Sequence, residues 1–181
     1  MIAGTLKGRR LQAPDWPGLR PTSDKLRETL FNVLGPAIRG ARFLDGYAGT
    51  GAVGIEALSR GAAQVTFVEK DSRAVELIEA NLAHCGLIAS EHPYAIIRAG
   101  FAGAGKRLGG STFDMIFLDP PYGAAQLEEA LAAAAPLAGA HTLLIIEHAK
   151  RDAAPPRAGR LQCTRSLPSG DSALAFYRQG D

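Results

Sequence analysis

From Arg42 onward, apolar runs of strand length alternate with stretches of helical periodicity, the pattern of βαβ units feeding a mainly parallel sheet. Strands are expected at Arg42–Asp45, Gln64–Glu69, 95–98, 113–119 and 142–147, each close to continuous in apolar residues, as a sheet covered on both faces demands. Between them the pattern predicts helices over 52–60, from Ser72 to a stop at Gly86, and over 126–135. Gly61 and Gly86 stand where a left-handed C-terminal cap is wanted. After Glu147, a polar turn segment containing Pro155-Pro156 leads into two short strand-like runs, 162–167 and 173–178, which read as a closing antiparallel hairpin. Before Arg42, residues 2–11 read as a small β-hairpin turning at Lys7-Gly8. Thr22 is placed to cap a helix whose Leu26, Leu30, Phe31 and Leu34 share one face. The expected architecture is α/β: a mainly parallel seven-stranded sheet with a C-terminal antiparallel hairpin and a small N-terminal β-hairpin.

Composition narrows the class. A chain of 181 residues that is 46% hydrophobic and 21% charged fits one globular domain and excludes a collagen-like or intrinsically disordered protein. Two cysteines, Cys85 and Cys163, cannot build a disulfide framework, and Met1-Ile2-Ala3 does not begin a secretion signal, so a cytoplasmic protein is expected. The longest uncharged stretch, 130–146, is interrupted by Pro136, Gly139 and His141 and falls short of the ~20 apolar residues of a membrane span, so no membrane partner is expected. The net charge of +2 hides an asymmetry: residues 1–42 hold eight Lys/Arg against three Asp/Glu. Such a cluster suits a solvated face or a phosphate-backbone partner equally well.

The first strand runs into Asp45-Gly46-Tyr47-Ala48-Gly49-Thr50-Gly51-Ala52-Val53-Gly54, where Gly49, Gly51 and Gly54 match G-x-G-x-x-G between a strand and a helix. That spacing gives a tight turn with bare backbone facing a ligand at a helix N-terminus. Glu69 closes the second strand 20 residues after Gly49, where a carboxylate can accept both hydroxyl protons of a ribose. A nucleoside cofactor follows, and a nicotinamide or flavin dinucleotide would satisfy both signals as well as S-adenosylmethionine. Asp45 favours the latter, because a carboxylate before the glycine loop suits a cationic amine and sulfonium better than a pyrophosphate. Its alternative role is to cap the loop.

Asp119-Pro120-Pro121-Tyr122 follows the strand at 113–118 and so lies at the carboxyl edge of the sheet, where open α/β folds bind ligands. Two prolines stiffen the turn. Asp119 and the Pro120 carbonyl can accept the two N–H bonds of an exocyclic base amine and favour a pyramidal, nucleophilic nitrogen. Tyr122 supplies a stacking face for a base extruded from its stack.

On these residues the chain resembles amino-methyltransferases of the Rossmann-like class I, S-adenosylmethionine-dependent kind, and among them the RsmD-type 16S rRNA guanine-N2 methyltransferases. The similarity is carried by Gly4-Thr5-Leu6-Lys7-Gly8-Arg9-Arg10-Leu11, by Leu19-Arg20-Pro21-Thr22-Ser23-Asp24-Lys25-Leu26-Arg27-Glu28-Thr29-Leu30-Phe31-Asn32, and by residues 43–62. The resemblance implies a basic arm over residues 1–20 contacting RNA through Lys7, Arg9, Arg10 and Arg20, and a methyltransferase domain over 21–181. It assigns the target guanine to Asp119, Pro120, Pro121 and Tyr122. Cofactor contacts would fall to Thr22, Asp45, Tyr47, Gly49, Gly51, Glu69, Lys70, Gly100 and Phe101. Its implied partner is 16S rRNA in an assembled or partly assembled small subunit, acted on by a monomer without a metal. The chain departs from many relatives at Arg98-Ala99-Gly100-Phe101, which offers no acidic or amide side chain for the adenine amine. Backbone atoms and stacking on Phe101 would serve instead.

Rival readings are a nicotinamide-dependent reductase, an idle RNA-binding module and a DNA adenine methyltransferase. The last shares the Asp-Pro-Pro-Tyr logic, but 181 residues leave no room for a separate target-recognition domain. His84, His92, His141 and His148 have no metal-ligand spacing, Ser59 sits on a helix rather than a nucleophile elbow, and Trp16 reads as a loop anchor.

Overall fold

The computed structural model describes residues 1–19, 22–108 and 110–180. Strands β1 (Arg42–Asp45), β2 (Gln64–Glu69), β3 (Tyr94–Arg98), β4 (Phe113–Leu118) and β5 (Ala138–Ala149) run parallel, and β6 (Arg157–Ala158), β7 (Leu161–Ser169) and β8 (Ser172–Gln179) extend the sheet antiparallel. Their order is β3-β2-β1-β4-β5-β8-β7-β6. From β1 the chain winds outward through β2 to β3, then returns to the other side of β1 as β4 and β5. The crevice beyond the carboxyl ends of β1 and β4 is therefore the topological switch point. The backbone stitches it together: Gly46 N–H donates to the Phe117 carbonyl at 2.8 Å.

Successive strand residues point to opposite faces, which is why the strands read as continuous apolar runs. Phe43, Phe67 and Phe117 face one core with helices α1 (Asp24–Leu34), α2 (Ala52–Ser59) and α3 (Ser72–His84). Leu44, Ile116 and Leu118 face the other with α4 (Phe101–Leu108) and α5 (Ala124–Ala134). The third fingerprint glycine sets the distance of α2 from the sheet. A Cβ on Gly54 would lie 2.2 Å from Cε1 of the fully buried Phe67 and 2.9 Å from Val65 Cγ1. Gly54→Ala is expected to cost about 1–3 kcal/mol through overpacking, visible as a lowered midpoint in a thermal melt; an unchanged melt would mean the helix can shift outward freely.

Three features differ from the sequence expectation. Residues 2–11 form turns rather than a β-hairpin, because their backbone donors are taken by α2: Ile2 and Ala3 N–H donate to the buried Glu56 carboxylate at 2.9 Å, Thr5 N–H to the Ser59 carbonyl at 2.8 Å and Leu6 N–H to Ser59 Oγ at 3.0 Å. Ser23, not Thr22, caps α1 by accepting from Leu26 N–H at 3.2 Å, which leaves the Thr22 hydroxyl free to turn elsewhere. Helix α4 was not foreseen, since Gly103 and Gly105 mask the spacing of its buried Phe101, Ala104 and Leu108. The two-residue β6 makes the sheet of the described residues eight-stranded.

Candidate active site

A cavity of about 650 Å³ opens over the carboxyl ends of β1, β2, β4 and β5. Its floor is the loop after β1. Gly51, in the left-handed region at φ 77°, begins α2, and this turn lays the backbone of residues 46–50 along the cavity wall. Glu69 at the end of β2 holds that loop to the next one: Oε2 accepts from Gly49 N–H at 2.9 Å, and Oε1 accepts from Lys70 and Asp71 N–H at 2.7 and 2.9 Å. Charge-assisted bonds of this kind fix a carboxylate's orientation. Opposite, the Tyr47 and Phe101 rings lie 5.3 Å apart, tilted by 39°, and both line the cavity with Gly100 and Lys70. Burial pushes the Tyr47 hydroxyl up to about 12.

Asp119, Pro120, Pro121 and Tyr122 line the far end of the same cavity. Thr22 Oγ1 donates to Asp119 Oδ2 at 3.3 Å, so the residue expected among the cofactor contacts also touches the carboxylate proposed to hold the base. Burial, followed by the neighbouring Glu147 carboxyl, raises Asp119 well above the ordinary carboxylate range, against the pull of the Thr22 hydroxyl. The Tyr122 hydroxyl donates to Glu147 Oε1 at 3.3 Å and lies 2.9 Å from Ser172 Oγ, leaving the exposed ring to face outward.

Asp45 is placed differently from the expectation of direct contact with a cation. Its carboxyl is buried beneath the loop, where Oδ2 accepts from Gly54 N–H at 2.9 Å, and it is not among the residues lining the cavity. The capping role open from the sequence is the one the fold adopts, because the N-terminus of α2 directs its free N–H groups at this position. Gly51 likewise supports the loop from below without lining the cavity. Burial raises Asp45 to about 7, opposed by the Gly54 bond and assisted by Glu69.

The native carboxyl therefore holds a proton that the unfolded chain gives up above its ordinary 3.8. Its contribution to stability declines as pH rises from about 4 to about 7 and is level beyond. Asp45→Asn keeps the acceptor for Gly54 and cannot ionise. The variant should gain on the wild type across that window, by up to the order of 4 kcal/mol. Urea unfolding at several pH values checks this, and parallel stability curves would contradict it.

A second cavity of about 450 Å³ is lined by Arg9, Arg10 and Arg27 and shares Thr22 and Thr50 with the first. Arg9 Nη1 also donates to the His84 carbonyl at 3.2 Å. Lys7 lines neither cavity, and Arg20 falls outside the described residues. The sequence reading missed Glu147, Ser172 and Asp71, and it did not bring Trp16 to the cavity. The Trp16 ring lies 5.1 Å from the Arg73 guanidinium at the rim, packed by a cation–π contact as a loop anchor would be. Glu147 had a signal: like Asp45, Glu69 and Asp119, it is a carboxylate that breaks an apolar run near the carboxyl end of a strand.

A switch-point cavity with a glycine loop on one side and an Asp-Pro-Pro-Tyr turn on the other, under this sheet order, defines a Rossmann-like class I methyltransferase fold. The chain matches the family model described as Conserved hypothetical protein 95 over residues 1–178 and belongs to that family, the RsmD family whose sequence blocks it shares. It is 36% identical over 187 residues to the YlbH protein of Bacillus subtilis (strain 168), covering 99% of this chain and 98% of that one. It is 40% identical over 131 residues to the Ribosomal RNA small subunit methyltransferase D of Escherichia coli (strain K12), where the match covers 72% of this chain and 64% of the relative's length. The solved structure of the Escherichia coli yhhF protein superposes with a TM-score of 0.83 at 32% identity, covering 99% of this chain and 96% of that one.

Proposed function

We propose that this chain transfers a methyl group from S-adenosylmethionine to the exocyclic N2 amine of a guanine in small-subunit ribosomal RNA. One observation carries the reading: the glycine loop with its Glu69 clasp and the Asp119-Pro120-Pro121-Tyr122 turn open onto one cavity, so a nucleoside donor and a base amine meet there. The residues fit the donor. Loop 46–50 presents bare backbone, Glu69 presents a fixed carboxylate for ribose hydroxyls, and Phe101 with Tyr47 presents apolar rings for the adenine. When bound, S-adenosylmethionine supplies an electrophilic methyl carbon whose bond to sulfur breaks, the electron pair staying on sulfur.

The protein's own work is mostly positioning, which can lower a barrier by ~7–11 kcal/mol without an activated side chain. Asp119 and the Pro120 carbonyl accept the amine's two N–H bonds and turn its lone pair toward the methyl carbon. As the new N–C bond forms, the nitrogen sheds one proton, which Asp119 takes. A carboxyl held at a raised value is a ready acceptor once a cation beside it favours its ionised form. Tyr122 stacks on the extruded base and offsets part of the cost of unstacking.

The N-terminal arm and the second cavity supply the RNA contact. Arg9, Arg10 and Arg27 form a basic recess that joins the reaction cavity through Thr22 and Thr50, a path for the backbone on either side of the target nucleotide. Replacing Arg9 and Arg10 with Ala should weaken RNA binding and lower the salt slope by about 1 per lost phosphate contact. Titrations at several salt concentrations measure it; an unaltered slope would move the interface elsewhere. The function itself is tested with tritium-labelled donor and small subunits lacking the modification. Label should appear in RNA and map to a guanine. Subunits that stay unlabelled while RNA binds would reject the reading, and label on adenine would correct the target.

A further inference from the structure

Glu147 ends the apolar run of β5 next to Asp119. In the parallel register Leu118 pairs with Ile146, so positions 119 and 147 are the next step on neighbouring strands. The side chain is 6% exposed, and its two oxygens differ. Oε1 accepts from the Tyr122 hydroxyl at 3.3 Å, whereas Oε2 is buried and meets no N–H or hydroxyl donor among the described residues, the nearby group being the Asp119 carboxyl, close enough to share a proton with Glu147. Glu147 also lines the cavity in which Asp119 stands. A buried carboxylate oxygen without a donor is costly to maintain and gains most when a ligand supplies one.

We propose that Glu147 selects guanine over other amine-bearing purines by accepting the N1–H of the base through Oε2 while Asp119 accepts from the N2 amine. This rests on the methylation reading above and extends it to base choice. Guanine presents N1–H and N2–H side by side on one edge, and two carboxylates on adjacent strands match that pair of donors. Adenine, with an acceptor at N1 beside its amine, would set a lone pair against Oε2. The Tyr122 hydroxyl, itself 2.9 Å from Ser172 Oγ, holds Oε1, which leaves Oε2 as the oxygen with capacity for a new donor.

The test compares an RNA carrying guanine at the target position with one carrying 2-aminopurine, which keeps the N2 amine but has a bare acceptor at N1. The wild type should favour guanine in kcat/KM by on the order of 10²-fold. Glu147→Gln can turn an amide N–H toward the bare N1. It should lose on the order of 10²-fold on guanine, hold or improve its rate on 2-aminopurine, and bring the ratio near unity. A merely structural role for Glu147 would slow both RNAs alike and keep the ratio, and that result overturns the inference. So does a wild type indifferent to the two bases, a measurement that needs no variant to fold. If the wild type methylates neither RNA, the underlying reading falls as well.

Discussion

Asp119→Ala is expected to reduce methyl transfer by on the order of 10³-fold or more, because the variant removes both the acceptor that orients the amine and the group that takes its proton. Unfolding would not account for the loss. A carboxyl raised by burial and by a neighbouring carboxyl is one the native state holds at a cost, so its removal leaves stability equal or higher. Donor binding should persist, since the glycine loop and Glu69 lie on the other side of the cavity. Single-turnover transfer, donor calorimetry and a thermal melt together separate these effects. Near-normal transfer by Asp119→Ala would contradict its role. Asp119→Asn keeps one acceptor oxygen but cannot take the proton, and should fall between the two.

Glu69→Ala is expected to weaken donor binding by about 10- to 100-fold, the range for losing hydrogen bonds to a charged acceptor. The structure adds a second cause. The same carboxylate ties Gly49 N–H to those of Lys70 and Asp71, so its loss loosens the loop that forms the cavity floor as well as removing a partner for the ribose. Glu69→Gln keeps the shape of the clasp but replaces one of its two accepting oxygens with an N–H donor, so it should retain part of the affinity. Calorimetry of the donor and of its demethylated product measures both variants. Unchanged affinity in Glu69→Ala would remove the residue from the binding site.

Much of this site could be read from the chain because strand ends announce themselves. Asp45, Glu69 and Asp119 each break an apolar run at or just past the last strand residue, and the parallel sheet brings those ends to one edge. Distance along the chain hid the rest. Glu147 likewise breaks an apolar run, though before the last residue of β5, but only the fold puts β5 beside β4, and nothing local distinguishes a carboxylate facing a cavity from one facing solvent. Asp45 shows the converse, since its position in the motif is equally compatible with reaching a ligand and with capping α2. The N-terminal hairpin failed for a related reason. Lys7-Gly8 is a plausible turn locally, but Glu56 and Ser59, some fifty residues away, compete successfully for the backbone donors. In α4, two glycines concealed a helix whose first residue, Phe101, closes the cavity wall.

The most direct measurement is a crystal structure with the demethylated donor and a short RNA bearing the target guanine. The account predicts the donor's ribose on Glu69, its sulfur facing Asp119 across the cavity, and the guanine edge between Asp119 and Glu147 over the Tyr122 ring. A donor bound away from loop 46–50, or a base that approaches from the side opposite the Pro120-Pro121 turn, would contradict it.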